Sequence, residues 1–140
     1  MGVDFNLPPN HLFNPLRALR LAEALGGDLK AVQSIFRSVS VDGNLPDNDE
    51  GWTDMQASAG VTDGDALVND PEIKAWLMAN GDKAIAAGAF GVPTFVINDE
   101  VFWGDDAFEM VLDYLENPEM LADDDMQRAV GLVPAAVRTR

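Results

Sequence analysis

Gly88-Ala89-Phe90-Gly91-Val92-Pro93-Thr94-Phe95-Val96-Ile97-Asn98-Asp99-Glu100-Val101-Phe102-Trp103-Gly104-Asp105-Asp106 is the stretch that decides the fold. Thr94–Ile97 is a continuous apolar run with β-branched residues, which predicts a buried strand. Asn98-Asp99 is a pair suited to a tight hairpin turn. Glu100–Trp103 returns as the partner strand, and Gly104 ends it. Upstream, two glycines and the Val92-Pro93 bond suit a backbone held in one unusual shape. A cis bond at Pro93 is expected there, because cis costs little at X-Pro and marks tight turns. A plain loop entering a strand is the simpler alternative.

The flanking chain reads as helix. Pro8-Pro9-Asn10 opposes helix, so residues 1–11 are an extended lead-in. Asn14-Pro15 starts a helix with Ala18, Leu19, Leu21, Ala22 and Leu25 on one side and an Arg20–Glu23 pair on the other, and Gly26-Gly27 stops it. Asp28 caps a second helix with Leu29, Val32, Ile35 and Phe36 on its apolar face. Asp47-Asn48-Asp49-Glu50 is an acidic start to a third helix, spaced by Trp52, Met55 and Ala59. These carboxylates lack the spacing of a calcium loop. Thr62–Val68 gives a short helix. Asp70-Pro71 starts another with Ile73, Trp76 and Leu77 on one face, and Asn80-Gly81-Asp82 breaks it and recaps a short helix through Ala87. After the hairpin, Asp105 or Asp106 caps a last helix with a Phe108, Val111, Leu112, Leu115 stripe. The tail beyond Pro118 reads as a short helix or loose segment ending in Arg138 and Arg140. The expected division is therefore lead-in 1–11, helical domain 12–90, hairpin and C-terminal helix 91–116, and tail 117–140.

Composition narrows the chemistry. The chain has 140 residues, enough for one domain with a core. Its net charge of −15 repels phosphate backbones and anionic lipid surfaces, so neither nucleic acid nor membrane is an expected partner. The chain contains no cysteine and a single histidine, His11. Disulfides, a CxxC redox centre, thiolate metal sites and a histidine metal cluster are all excluded, and any thiol must come from a cofactor. There is no export signal, and Ala84–Ile97, the most apolar stretch, is too short to span a bilayer, so a cytoplasmic protein is expected.

One hairpin among five or six helices poses a structural problem. A lone two-stranded hairpin is marginal in water. Yet Phe95, Val96, Ile97, Val101, Phe102 and Trp103 are too apolar to face solvent on both sides. The sheet is expected to be completed by a segment outside this chain or by a second copy, which makes a homo-oligomer the expected state.

Gly-Val-Pro-Thr-Phe at 91–95, the hairpin, Phe102-Trp103-Gly104-Asp105-Asp106 and the following helix together resemble the C-terminal half of thioredoxin-like proteins related to bacterial disulfide oxidoreductases. The Phe-Trp-Gly-x-Asp segment is most similar to 2-hydroxychromene-2-carboxylate isomerases and kappa-class glutathione transferases. Phe13-Asn14-Pro15-Leu16-Arg17-Ala18-Leu19-Arg20 resembles the point where these proteins enter an inserted helical domain. The resemblance covers roughly residues 5–116. The fold class it implies is α/β, the C-terminal half of a thioredoxin-like (DsbA-type) fold with an inserted helical domain, mostly helical with one β-hairpin.

The resemblance also implies a ligand. The family binds glutathione in an extended pose against the residue before the cis proline, here Val92 beside Pro93. Asp105 and Asp106 match the place that holds the glutamyl end, whose α-ammonium suits a carboxylate. Asn14 matches an asparagine near the thiol and substrate, and Phe13 and Trp103 become candidate walls for a small aromatic acid. Each has a second reading: Asp105, Asp106 and Asn14 as helix caps, Trp103 as core, His11 as an ordinary surface or interdomain residue. The implied activity is glutathione-dependent isomerisation of a 2-hydroxychromene-2-carboxylate-type acid in aromatic-compound breakdown. The alternatives are a kappa-type transferase and a non-catalytic dimerisation or binding module. Two departures stand out. Ala107 occupies a position where the family usually has arginine. The family's catalytic serine follows a first strand that nothing before Asn14 here can form, and Ser34, Ser38, Ser40 and Ser58 match no such position. No catalytic residue is assigned, and the chain is expected to be inactive alone.

Overall fold

The computed structural model describes residues 4–10 and 12–132. His11, Arg138 and Arg140 lie outside the described residues. The chain divides into two compact units, Met1–Asp82 and Lys83–Arg140.

The first unit is helical, with α1 at Leu16–Ala24, α2 at Leu29–Ser40, α3 at Asp49–Ser58 and α4 at Gly64–Asn69. Three of these four are capped by side chains one step before the helix. Asp28 accepts from the N–H groups of Lys30 and Ala31, Asn48 from Gly51, and Asp63 from Ala66. α1 is entered differently. Pro15 is its N-cap, and Asn14 Oδ1 accepts the Leu16 N–H at 3.0 Å. Gly26 and Gly27 end it with φ of 72° and 65°, a conformation that glycine adopts without cost. Ala18, Leu21, Ile35, Trp52, Met55 and Val68 form the core, with Ala22, Leu25, Val39 and Val61 packed around them. The lead-in lies along the end of α2, where Asn6 donates to the carbonyls of Ser40 and Val41.

Several helix faces differ from expectation. In α2 only Ile35 of the expected apolar set is buried, while Leu29 and Phe36 are exposed and Ser38 is fully buried. The stripe is rotated because Ser38 satisfies its hydroxyl with the Asn44 amide at 3.2 Å, so a polar residue can face inward. The Arg20–Glu23 pair does not form. Glu23 instead accepts both its hydrogen bonds from the Asn80 amide. α5 runs unbroken from Pro71 to Ala86, through the expected stop at Asn80-Gly81-Asp82. A glycine in an exposed helix interior costs only about 1 kcal/mol, too little to end a helix whose backbone ladder continues. Trp76, expected on the apolar face of α5, is exposed.

The second unit is built on the hairpin. β1 (Thr94–Ile97) and β2 (Glu100–Trp103) pair antiparallel, with Phe95 opposite Phe102 and Val96 opposite Val101. Asn98 and Asp99 both have positive φ, as a two-residue hairpin turn requires. One face packs on α6, Phe108–Glu116: Phe102, Val111 and Tyr114 are buried, with Phe95, Ile97, Ala107, Met120 and Leu121 against them. Of the expected stripe only Val111 is buried; Phe108, Leu112 and Leu115 are exposed, and Tyr114 takes their place by packing its ring, tilted by 50°, against Phe102 at 5.3 Å. Asp105 and Asp106 do not cap this helix. They form a short 3₁₀ turn, Asp105–Ala107, with no side-chain cap bond, and α6 begins only at Phe108. Beyond it Pro118–Ala122 makes a second 3₁₀ turn, and α7, Asp124–Val130, is capped by Asp123.

The other hairpin face carries Thr94, Val96, Val101 and Trp103, and the last three are 42%, 38% and 53% exposed. Among the described residues the sheet has two strands, so the outer edges of β1 and β2 are unpaired. No helix among the described residues is long and apolar enough to cross a membrane.

Candidate functional site

The predicted site residues fall into two groups, one in each unit. In the second unit the helix α5 gives way at Gly88, φ 82°, which turns the chain into the Phe90–Pro93 loop. The Val92-Pro93 peptide bond is cis, as the surrounding sequence predicts. The Pro93 carbonyl accepts the Gly104 N–H at 2.9 Å. That single bond fixes the loop directly beside the turn that carries Asp105 and Asp106. On the loop's other side the Thr94 hydroxyl donates to the Gly91 carbonyl at 2.6 Å. Gly91 lies so close to the Trp103 indole that a side chain there would collide with it.

Val92 is 92% exposed. Its N–H and its carbonyl enter no hydrogen bond among the described residues. An exposed residue with both main-chain groups free can pair with an extended peptide, as an edge strand does. Phe90 packs at a tilt against Trp103 with ring centroids 5.1 Å apart, and both residues are more than half exposed. Trp103 is therefore surface rather than core. Asp105 and Asp106 are exposed carboxylates engaged in no hydrogen bond or ion pair among the described residues. The arrangement can offer main-chain pairing, an aromatic wall and two carboxylates for an ammonium group.

Phe13 and Asn14 belong to the first unit. Phe13 is half-buried and Asn14 exposed. Both readings of Asn14 have an observation behind them. Its side-chain oxygen caps Leu16, its N–H donates to Asp47 at 2.8 Å, and it lines a cleft with Leu16, Arg17, Arg20, Pro46 and Asp47. Helical spacing places the arginines of that cleft on the polar side of α1 and says nothing of a site. Phe90 too is absent from the expected site, although its place two residues before Val92 is a signal that could have found it.

Hydroxyls are few near Val92. Among the described residues of the second unit, Thr94 is bonded to Gly91 and Tyr114 is buried on Phe102. The four serines all lie on α2 and α3, where Ser34 donates to the Ser58 carbonyl at 2.7 Å.

A hairpin entered through a cis proline, backed by a helix and preceded by a helical unit, defines a thioredoxin-like protein of the disulfide-oxidoreductase type. The chain belongs to the DSBA-like thioredoxin domain family, whose model matches residues 1–116. No curated protein matches the chain. Membership points in general to redox, glutathione-linked or isomerase chemistry. The chain itself supplies no thiol.

Proposed function

We propose that this chain provides the glutathione platform of a glutathione-dependent isomerase, of the 2-hydroxychromene-2-carboxylate type, acting on a small aromatic acid in aromatic-compound breakdown. The observation that carries the reading is the bond from Gly104 N–H to the Pro93 carbonyl, which holds unpaired Val92 next to the free carboxylates of Asp105 and Asp106. Val92 accepts and donates main-chain hydrogen bonds to the tripeptide. Asp105 and Asp106 pair with its α-ammonium. Phe90 and Trp103 shield one side from water. Glutathione, when bound, supplies the nucleophilic thiol that a cysteine-free chain lacks. The reading puts the protein in a reducing compartment, the cytoplasm.

Calorimetric titration with glutathione tests this. Saturable binding in the range of about 0.1–10 mM is expected, and Asp106→Asn together with Asp105→Asn should weaken it about tenfold through loss of a charge-assisted bond. Binding without turnover is the expected behaviour, since no free hydroxyl among the described residues of the second unit stands by to support a thiolate. Absence of heat up to tens of millimolar glutathione, or an undiminished affinity in the double variant, would refute the proposal.

A second reading rests on a different observation, the uncovered apolar face of Val96, Val101 and Trp103. On it the chain is a self-associating module, with the hairpin of a second copy covering this face.

A further inference from the structure

We propose that residues 133–140 dock on α6 of their own chain, as an intramolecular clasp over Phe108, Leu112 and Leu115. A helix face without a partner, an acidic row beside it and a segment of matching chemistry within reach point to this occupant.

α6 carries two apolar stripes. Val111 and Tyr114 face the hairpin and are buried with Phe102. Phe108, Leu112 and Leu115 follow i, i+4, i+7 spacing, about 100° around the helix from the first stripe. All three are exposed. This second stripe is continuous with the core, because the Phe108 ring packs against Phe95 with centroids 5.8 Å apart. The turn at Pro118–Ala122 leaves it open, since Met120 and Leu121 pack instead on the Phe102–Val111–Tyr114 cluster. Adjoining large apolar side chains in water favour a covering partner.

Glu109, Asp113 and Glu116 run along the solvent side of that stripe, again at i, i+4 and i+7. Each is exposed, and none enters an ion pair among the described residues. The face therefore suits a partner with an apolar run and adjacent cations.

The chain holds such a segment. All 24 of its Asp and Glu residues lie at or before Asp125. Residues 126–140 carry Arg128, Arg138 and Arg140 and no acidic side chain. Arg128 is engaged by Asp125. Val133-Pro134-Ala135-Ala136-Val137 is the apolar run, and Arg138 and Arg140 are the cations beside it.

Reach and charge favour the chain's own segment over a second copy. α7 packs on the Pro118–Ala122 turn, which itself packs on α6. The seven residues of α7 span only about 10 Å and the nine of α6 about 13 Å. Eight extended residues cover up to about 26 Å, enough to return from the far end of α7 and follow the whole stripe. A tethered segment meets its target at an effective concentration of about a millimolar. A second copy brings a further net charge of −15 towards the same acidic row.

The clasp does not rest on the glutathione reading. Its test uses the absence of cysteine, which makes Thr139→Cys a single attachment point for a nitroxide on the full chain. Broadening of the Phe108 and Leu112 amide signals should be strong, independent of protein concentration, and absent from unlabelled chains mixed with labelled ones. Arg138→Glu with Arg140→Glu should reduce it at least about threefold through loss of two exposed ion pairs. Adding Glu109→Arg and Asp113→Arg to that variant should restore it. Salt at about 0.5 M should weaken it in the parent chain. Broadening unchanged by the charge reversal, a swap that restores nothing, or broadening confined to Glu116 and the residues after it would each overturn the inference. Broadening passed to unlabelled chains would overturn it too, by assigning the face to a second copy.

Discussion

A Cβ added to Gly51 would lie 2.6 Å from both the backbone nitrogen and the carbonyl oxygen of Leu45. Backbone cannot swing aside, so Gly51→Ala must displace α3 from the Leu45–Pro46 turn. It should cost about 1–3 kcal/mol, read by urea denaturation. An unchanged midpoint would mean that α3 and that turn are less closely packed than the structure holds. Asp99 carries the opposite expectation. Its φ of 67° is strained for any side chain, and Asp99→Gly should stabilise the second unit by about 0.5–1 kcal/mol. A lower thermal midpoint would show that the aspartate contributes something beyond its backbone. Asp105 and Asp106 belong at this scale too. Their identity is legible in the sequence, but their freedom is not. A carboxylate just before a helix reads as a cap, and only the 3₁₀ turn that delays α6 to Phe108 leaves them unengaged.

Among the elements, the hairpin has the most direct consequences. Its boundaries are legible to the residue, because a β-branched run, a turn pair with positive φ and a closing glycine all agree. Its two faces are not. Alternation assigns partners to a face but does not say which face a helix covers, and the answer depends on Phe102 meeting Tyr114 from α6. The uncovered face makes a prediction of its own. Val96→Lys introduces a charge there without touching the Phe102–Val111–Tyr114 cluster. Any self-association of the chain seen by sedimentation should be lost in this variant, with the thermal midpoint unchanged. Association that survives the lysine would place the interface elsewhere. Helices are less legible than strands. Asn80-Gly81-Asp82 does not break α5 because those residues are exposed on it, where a glycine costs a little and clashes with nothing. The stripe of α2 comes out rotated, since a buried serine bonded to Asn44 is invisible to hydrophobic spacing.

At the scale of the whole molecule, the chain is a DSBA-like thioredoxin domain over residues 1–116 with a further short helix beyond it. Fold class is legible because the cis-proline loop, the hairpin and the closing glycine form one contiguous signal. The candidate site is half legible. Val92, Trp103, Asp105 and Asp106 sit within that same stretch, whereas the cleft beside Asn14 depends on its bond to Asp47, 33 residues away. A net charge of −15 sets the terms on which any ligand is held. Long-range attraction for an anionic tripeptide is absent, so affinity must come from short-range main-chain pairing and the two carboxylates. The most direct test is the amide signal of Val92 in a nitrogen-15 spectrum recorded during a glutathione titration. A saturable downfield shift at Val92, with protection of that amide from solvent exchange, is the predicted result. A Val92 signal that stays still while glutathione reaches tens of millimolar would rule out the glutathione platform.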